Sequence, residues 1–142
     1  MNRFTYPATL TPDEVDGGFT VTFRDVPEAI TQGDIVEECL EEAADSLEEA
    51  IAGRIRCGDV IPSPTRCERG EYLVPVPLQT AMKAALYLAM QESGISKVEL
   101  SRQLHVHEKE VRRILDPHHG TRIPAMERAL SVLGKHAELR LV

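Results

Sequence analysis

The side chains with the clearest chemistry in this sequence are basic groups between residues 102 and 122. Lys109, Arg112 and Arg113 are spaced for one face of a helix, and Val111 and Ile114 are spaced for the opposite, buried face. Ammonium and guanidinium groups bind the phosphates and base edges of DNA. The pattern therefore predicts a helix with one face in a core and the other suited to DNA.

Two short helices joined by a tight turn would position these groups, over the stretch SKVELSRQLHVHEKEVRRIL. Ser96 is a good N-cap for the first helix, which is predicted to direct Val98, Leu100 and Leu104 inward. The turn falls at His105–His107, and the second helix carries the basic face. This order predicts a helix-turn-helix whose second helix enters the DNA major groove.

The predicted DNA contacts fall into two groups. The second helix would read bases with Lys109, Arg112 and Arg113, and with His107 and Glu108 at its start. The phosphate contacts would come from the first helix and from the loop after the second, namely Arg102, His118, His119, Thr121 and Arg122.

The flanking helices add a family resemblance. An apolar-faced helix over residues 78–93 precedes the motif and Gly94 is placed to end it, while a loop and a helix ending at Gly134 follow. This order resembles the Cro and lambda-repressor-like DNA-binding domains. The turn position that is often Gly in that family is His105 here, where a left-handed conformation is more costly.

Metal and catalytic chemistry are the alternatives to DNA binding. His105-x-His107 and His118-His119 could supply imidazole ligands, but a turn and loop beside a recognition helix are also where phosphate donors lie. Nuclease chemistry needs several carboxylates converging on a divalent metal, and no pattern brings the acidic residues near the strands together. The sequence therefore predicts no catalytic residue, no metal site and no cofactor.

Charge divides the 142-residue chain into two unlike halves. Residues 1–70 contain 15 acidic and 6 basic side chains, whereas residues 71–142 contain 8 acidic and 10 basic ones and all five histidines. The second half suits a phosphate backbone. The first half, with a net charge of −9, either keeps the chain soluble or meets a basic protein.

Composition is ordinary for a globular protein of one or two domains, with 42% hydrophobic and 27% charged residues. No apolar run is long enough to span a bilayer, and the N-terminus lacks the apolar core of a signal peptide. The three cysteines have no CxxC spacing, which is typical of a reducing compartment. The prediction is a cytoplasmic protein without membrane contact.

Alternating apolar residues predict strands in the first half, over residues 3–10, 19–24, 29–32 and 71–76. Pro7 requires the first strand to lie at an edge, or its missing N–H to point outward. Asp34 is predicted to cap a long helix whose apolar stripe covers one face of the sheet, with its many carboxylates in solvent. The fold class is α+β, with a domain at 1–76 and a helical domain at 77–142 that ends in a short strand, 137–142.

The segment TFRDVPEAITQGDIVEECLEEAADSLEEAI resembles the HicB antitoxin family. Asp25, Pro27, Thr31 and Gly33 occupy the signature positions, although Glu28-Ala29 stands where the family often has Gly-Cys. The resemblance implies a β-β-β-α-β, partial RNase-H-like domain that binds and masks a small RNA-cleaving HicA toxin. It also implies a C-terminal domain that binds the operator of the toxin–antitoxin operon.

Several expectations follow for the partners. The candidate toxin contacts are strand and turn residues, namely Thr20, Thr22, Arg24, Asp25 and Glu28, with the acidic helix as a second candidate face. A dimer or tetramer is expected, because a single helix-turn-helix reads only a few base pairs. The terminal strand at 137–142 has no local partner. Two copies of it would pair across a two-fold axis through Leu139 and Leu141, or the strand would fold back on its own domain. The alternative function is a stand-alone transcriptional regulator that senses a small molecule in its N-terminal domain.

Overall fold

The computed structural model describes residues 3–142; residues 1 and 2, the start of the predicted domain 1–76, lie outside the described residues. The described part contains four strands and five helices, in agreement with the predicted α+β class. In chain order they are β1 (Thr5–Pro12), β2 (Phe19–Phe23), β3 (Ile30–Gly33), α1 (Val36–Cys57), β4 (Tyr72–Pro75), α2 (Leu78–Ser93), α3 (Lys97–Leu104), α4 (Glu108–Leu115) and α5 (Ile123–Val132). The chain forms two compact units, one up to Ala81 and one over Met82–Val142.

The first unit contains an antiparallel sheet with the strand order β3-β2-β1-β4. β1 therefore lies inside the sheet, and the expectation that Pro7 would place it at an edge is wrong. The second possibility holds instead, because the pairing of β1 with β2 begins at Ala8, one residue beyond Pro7. The missing N–H of Pro7 thus costs no bond of the β1–β2 ladder.

Helix α1 covers one face of this sheet and buries an apolar stripe of Cys39, Ala43, Leu47, Ile51, Ala52 and Ile55. The predicted cap is wrong, since Ile35 rather than Asp34 is the N-cap and no side chain caps the helix. The carbonyl of Ile35 accepts the first helical bond, from Cys39 N at 2.9 Å. Gly33 allows this close start, because a Cβ at that position would lie 2.9 Å from Cys39 Sγ.

The second unit packs α2, α4 and α5 around a core of Met82, Leu86, Ala89, Ile114, Met126, Ala129 and Leu130. In α3, Leu100 is buried as predicted, but Val98 is 43% exposed and its predicted inward direction is wrong. Two helical residues at this spacing are separated by about 200° around the axis, so Val98 and Leu100 cannot both face the core.

The predicted terminal strand is also wrong for the single chain. Residues 135–142 have no regular secondary structure, and Leu139 and Leu141 are 74% and 88% exposed. A strand is held by hydrogen bonds to a neighbouring strand, and within residues 3–142 this segment pairs with none. Within residues 3–142 the segment therefore forms no strand against its own domain, although Lys135 Nζ at its start lies 3.2 Å from Glu92.

Candidate nucleic-acid interface

The two predicted helices and the turn between them are present as α3, residues 105–107 and α4. Ser96 caps α3, because its Oγ accepts from Glu99 N at 3.1 Å. His105 has a φ of 57° and a ψ of 42°, and it has the one positive φ of a residue other than Gly among residues 3–142. The left-handed turn at His105, predicted from the sequence, is confirmed.

This left-handed residue sets the direction of the chain between the helices. The N–H of His105 donates to Arg102 O at 3.2 Å and that of Val106 donates to Ser101 O at 3.1 Å. These are the bonds that satisfy the last carbonyls of a helix when its C-cap is left-handed. The chain can then enter α4 within three residues.

Helix α4 is amphipathic in the predicted sense. Val111 and Ile114 are buried, while Lys109, Arg112 and Arg113 are exposed. The turn and the outer face of α4 together line an open depression formed by His105, Val106, His107, Glu108, Lys109, Glu110, Arg112 and Arg113. The seven remaining predicted DNA residues also lie at or near the surface: Arg102, His107, Arg122, His118 and His119 are exposed, and Glu108 and Thr121 are half-buried.

Carboxylates on the same helices accompany the arginines. Arg112 lies 3.0 Å from Glu108, Arg113 lies 3.6 Å from Glu110 and, on α3, Arg102 lies 3.6 Å from Glu99. Exposed helix pairs of this type contribute roughly 0.3–0.5 kcal/mol. The arginines can therefore exchange these partners for phosphate at little cost.

The loop after α4 is short and internally bonded. Asp116 Oδ1 accepts from His118 N at 2.9 Å, and Asp116 O accepts from His119 N at 3.1 Å. Thr121 Oγ1 lies 2.6 Å from the Nζ of Lys83. The loop thus presents its two imidazoles and Arg122 at the surface on an ordered backbone.

Lys83 is the residue that sequence reasoning missed. It lies on α2 and is fully buried, and its Nζ donates to Ile114 O at 2.7 Å, Arg113 O at 3.0 Å and Thr121 Oγ1. Burial lowers its pKa from 10.5 to about 8, against the opposing effect of the Asp116 carboxylate. A signal was present, because Lys83 is the one charged residue between Leu78 and Met90.

The candidate toxin contacts divide into charged residues that bond within the protein and two threonines on strand β2. Arg24 bonds to Glu71, to the carbonyl of Arg66 and, at 2.8 Å, to Thr65 Oγ1. Asp25 accepts from Thr65 N at 2.9 Å, and thus also holds the loop between α1 and β4.

The third charged candidate, Glu28, forms a two-point ion pair with Arg54 at 2.6 and 2.8 Å. The Arg54 hydrogen bond lowers the pKa of Glu28 below its usual value. Thr20 and Thr22 point away from α1, since they alternate with the buried or half-buried Phe19, Val21 and Phe23. Thr22 is exposed and Thr20 is half-buried on that face, while the exposed Arg24 and Glu28 are held by the bonds described above.

Acidic groups in the first unit have structural partners as well. Asp13 Oδ1 accepts from Val15 N at 3.0 Å and from Asp16 N at 3.1 Å, which lowers the pKa of Asp13. Across the described residues, no three His, Cys, Asp or Glu side chains are grouped so that they could hold a metal ion. No helix within residues 3–142 is long and apolar enough to cross a membrane.

Comparisons with known proteins agree with the resemblance that the sequence shows. A family described as the HicB-like antitoxin of bacterial toxin–antitoxin systems matches residues 5–85. The chain belongs to the HicB antitoxin family. It is 38% identical to "Antitoxin HicB" of Escherichia coli strain K12, over 96% of this chain and 99% of that protein.

Two further HicB antitoxins extend the comparison. "Antitoxin HicB 1" of Photorhabdus laumondii is 38% identical over 99% of this chain and 89% of its own length. "Antitoxin HicB" of Pseudomonas fluorescens is 34% identical over 86% of this chain and 84% of its own length. The chain is therefore an antitoxin, a regulatory protein rather than an enzyme, and its partner is a toxin. This membership favours the antitoxin function over a stand-alone regulator.

Proposed function

We propose that this HicB antitoxin represses its own operon by binding operator DNA through α4. One observation carries the proposal: Ser96 caps α3, the left-handed His105 ends it, and α4 follows within three residues with Lys109, Arg112 and Arg113 exposed. The basic face of α4 would enter the major groove, with His107 and Glu108 near base edges at its start.

Phosphate contacts would flank this helix on both sides. Arg102 on α3 and His118, His119 and Arg122 in the loop are exposed and carry hydrogen-bond donors. Such contacts fix the position of a protein on the duplex without reading sequence, and they make affinity depend on salt. The proposal therefore assigns specificity to α4 and a large part of the affinity to the flanking donors.

The first unit is proposed to bind and mask a HicA-type, RNA-cleaving toxin. A protein that binds RNA carries basic surface, and the net charge of −9 over residues 1–70 would attract it and speed association at low salt. Thr20 and Thr22 are proposed as direct contacts because they lie on the face of β2 opposite the buried Val21 and Phe23, with Thr22 exposed and Thr20 half-buried. Arg24 and Asp25 are proposed to support this surface through their bonds to the loop between α1 and β4, and Glu28 through its ion pair with Arg54 of α1.

A homodimer is the proposed DNA-binding form. The half-sites of dimeric helix-turn-helix proteins lie about 34–36 Å apart, or a multiple of that distance. Leu139 and Leu141 are apolar side chains in solvent at the end of the second unit. Two such tails pairing across a two-fold axis would bury them and give each the partner that a single chain lacks.

The dimer can be tested by deleting residues 138–142. Light scattering at micromolar concentration should show a smaller mass for the truncated chain, and its operator affinity should fall more than its toxin affinity. Equal masses with operator binding intact would remove the tail from the dimer interface.

The toxin assignment is tested by a chain that ends at Val76, co-expressed with the product of the neighbouring open reading frame. Relief of growth arrest is the expected result. A truncated chain that folds by circular dichroism but does not relieve the arrest would contradict the assignment of toxin binding to residues 1–76.

A further inference from the structure

The buried ammonium group of Lys83 links three parts of the second unit. The side chain extends from α2, and its ammonium group reaches the carbonyls of Arg113 and Ile114 at the end of α4. It also reaches the hydroxyl of Thr121 in the following loop. An ammonium group has three protons, and these three acceptors lie 2.6–3.0 Å from Nζ. Its donor capacity is therefore filled inside the protein.

The acceptors explain why a cation is buried here. The last carbonyls of a helix have no partner within the helix, and they carry the negative end of its dipole. Lys83 serves two of these carbonyls, so it acts as a C-cap supplied by a different helix. Arg113 O also accepts from Asp116 N at 3.3 Å, so Lys83 adds to the caps that the chain itself supplies at the end of α4.

Thr121 is directed inward by the same arrangement. Its Oγ1 accepts from Lys83, and its hydroxyl proton can reach Arg113 O at 3.4 Å or His119 O at 3.5 Å. All three of these partners lie within the protein. Thr121 is thus placed to hold the loop, whereas His118, His119 and Arg122 point their side chains to the surface.

We infer that Lys83 is a positioning residue for DNA binding, which fixes the end of α4 and the loop over residues 116–122 in their binding geometry, with Thr121 acting through it. The inference rests on the proposed operator binding by α4. An eight-residue helix is not stable alone, so its position depends on contacts from neighbouring elements. A loop ordered before binding also loses less entropy when its donors meet phosphate.

The test uses the full chain and DNA from upstream of the first reading frame of its operon. Lys83→Met keeps approximately the length of the side chain and removes its three donors. Thr121→Val removes only the hydrogen bond between Lys83 and the loop. Ala89→Gly is the matched control, because it weakens the same helix within the core without touching Lys83. Operator affinity is measured where circular dichroism shows each variant folded, and amide exchange at Asp116 and His119 is measured in the free protein.

The expected result is a loss of about tenfold in operator affinity for Lys83→Met, the size that follows from removing one buried hydrogen-bonding group. Thr121→Val should lose less, and the double variant should bind no worse than Lys83→Met, because both act through one contact. Lys83→Met and Thr121→Val should each speed amide exchange at Asp116 and His119. Folded Ala89→Gly should bind operator as the wild type does.

Three results would overturn the inference. Folded Lys83→Met could bind operator with unchanged affinity, the two losses could simply add, or the loop amides could exchange at the wild-type rate. If Lys83→Met does not fold, Thr121→Val decides by the same two readouts. Failure of the wild type to bind this DNA at all would instead contradict the proposed function, and the inference would fall with it.

Discussion

The backbone of Gly33 lies directly against Cys39, so that β3 and α1 touch where the strand ends. A Cβ on Gly33 would be 2.9 Å from Cys39 Sγ and 3.0 Å from its backbone nitrogen. Gly33→Ala should therefore lower the free energy of unfolding of the first unit by about 1–3 kcal/mol, the usual cost of overpacking a core. Urea unfolding measures this change.

Gly53→Ala is the matched control for that variant. Gly53 lies inside α1, and a methyl group added there would have no neighbouring atom within 4 Å, so alanine should stabilise the helix by roughly 0.5–1 kcal/mol. Equal effects of the two substitutions would show that the contact between Gly33 and Cys39 is not tight.

The turn between α3 and α4 gives a stabilising substitution. His105→Gly removes the cost of a left-handed side chain, about 1–2 kcal/mol, but adds the entropy of glycine in the unfolded chain. The net result should be a gain of about 0.5–1 kcal/mol, visible as a higher melting temperature. Gly94→Ala, at a φ of 71°, should change stability in the opposite direction. A lower melting temperature for His105→Gly would mean that the imidazole makes a contact that outweighs the strain.

The lowered pKa of Lys83 predicts how the free energy of unfolding changes with pH. Its pKa is about 8 in the folded protein, against 10.5 ordinarily, so between these values the unfolded chain binds more protons. Stability due to this group should therefore rise as pH rises from 8 toward 10.5, by about 1–3 kcal/mol in all. Urea unfolding at about pH 7.5 and about pH 9.5, in wild type and Lys83→Met, isolates the effect. Parallel pH profiles for the two proteins would contradict the lowered pKa.

The pH window stops below 10 because Tyr6 acts in the opposite direction. Its hydroxyl donates to Pro62 O at 2.7 Å, and burial raises its pKa from 10.0 to about 12. The unfolded chain loses this proton first, so stability due to Tyr6 falls as pH rises from 10 to 12. Measurements kept below pH 10 avoid this opposing change.

The proposed toxin surface contains residues that would touch the toxin directly and residues that would hold the surface in place. Thr22→Arg should weaken binding of a basic toxin by at least about tenfold, while stability changes by less than about 0.5 kcal/mol, as for most exposed sites. Glu28→Gln should lower stability by up to about 1 kcal/mol because it weakens the Arg54 pair, with a smaller effect on the toxin. Isothermal calorimetry with the co-expressed toxin compares the two. Full toxin affinity in Thr22→Arg would exclude this face of the sheet.

Local patterns in the sequence predict the elements of this fold well. Alternation locates the four strands of the sheet, although it also indicated a strand at 137–142 that is absent from the described residues. Helical spacing locates α1 to α5, and the capping role of Ser96 is confirmed by its bond to Glu99. These features depend on residues near one another in the chain. The left-handed residue was indicated by the resemblance to Cro-like domains, because the turn position that is often Gly in that family is His105 here.

Features that depend on distant contacts were missed. The position of β1 inside the sheet depends on its pairing with β4, far along the chain, and Pro7 alone gave the opposite indication. Lys83 was overlooked because its acceptors are carbonyls, which every residue has and no sequence pattern marks. The partners of Arg24 and Asp25 lie in an irregular loop, so their supporting contacts could not be predicted either.

The central claim, that one unit binds operator and the other binds toxin, is tested most directly by replacing Arg112 and Arg113 together with alanine. Operator affinity across a range of salt concentrations, and toxin affinity, would be measured on the same protein. The account predicts much weaker operator binding and unchanged toxin binding, with the salt dependence of operator binding reduced by about one unit for each arginine that had neutralised a phosphate. Operator affinity that stays at the wild-type value at moderate salt would contradict it.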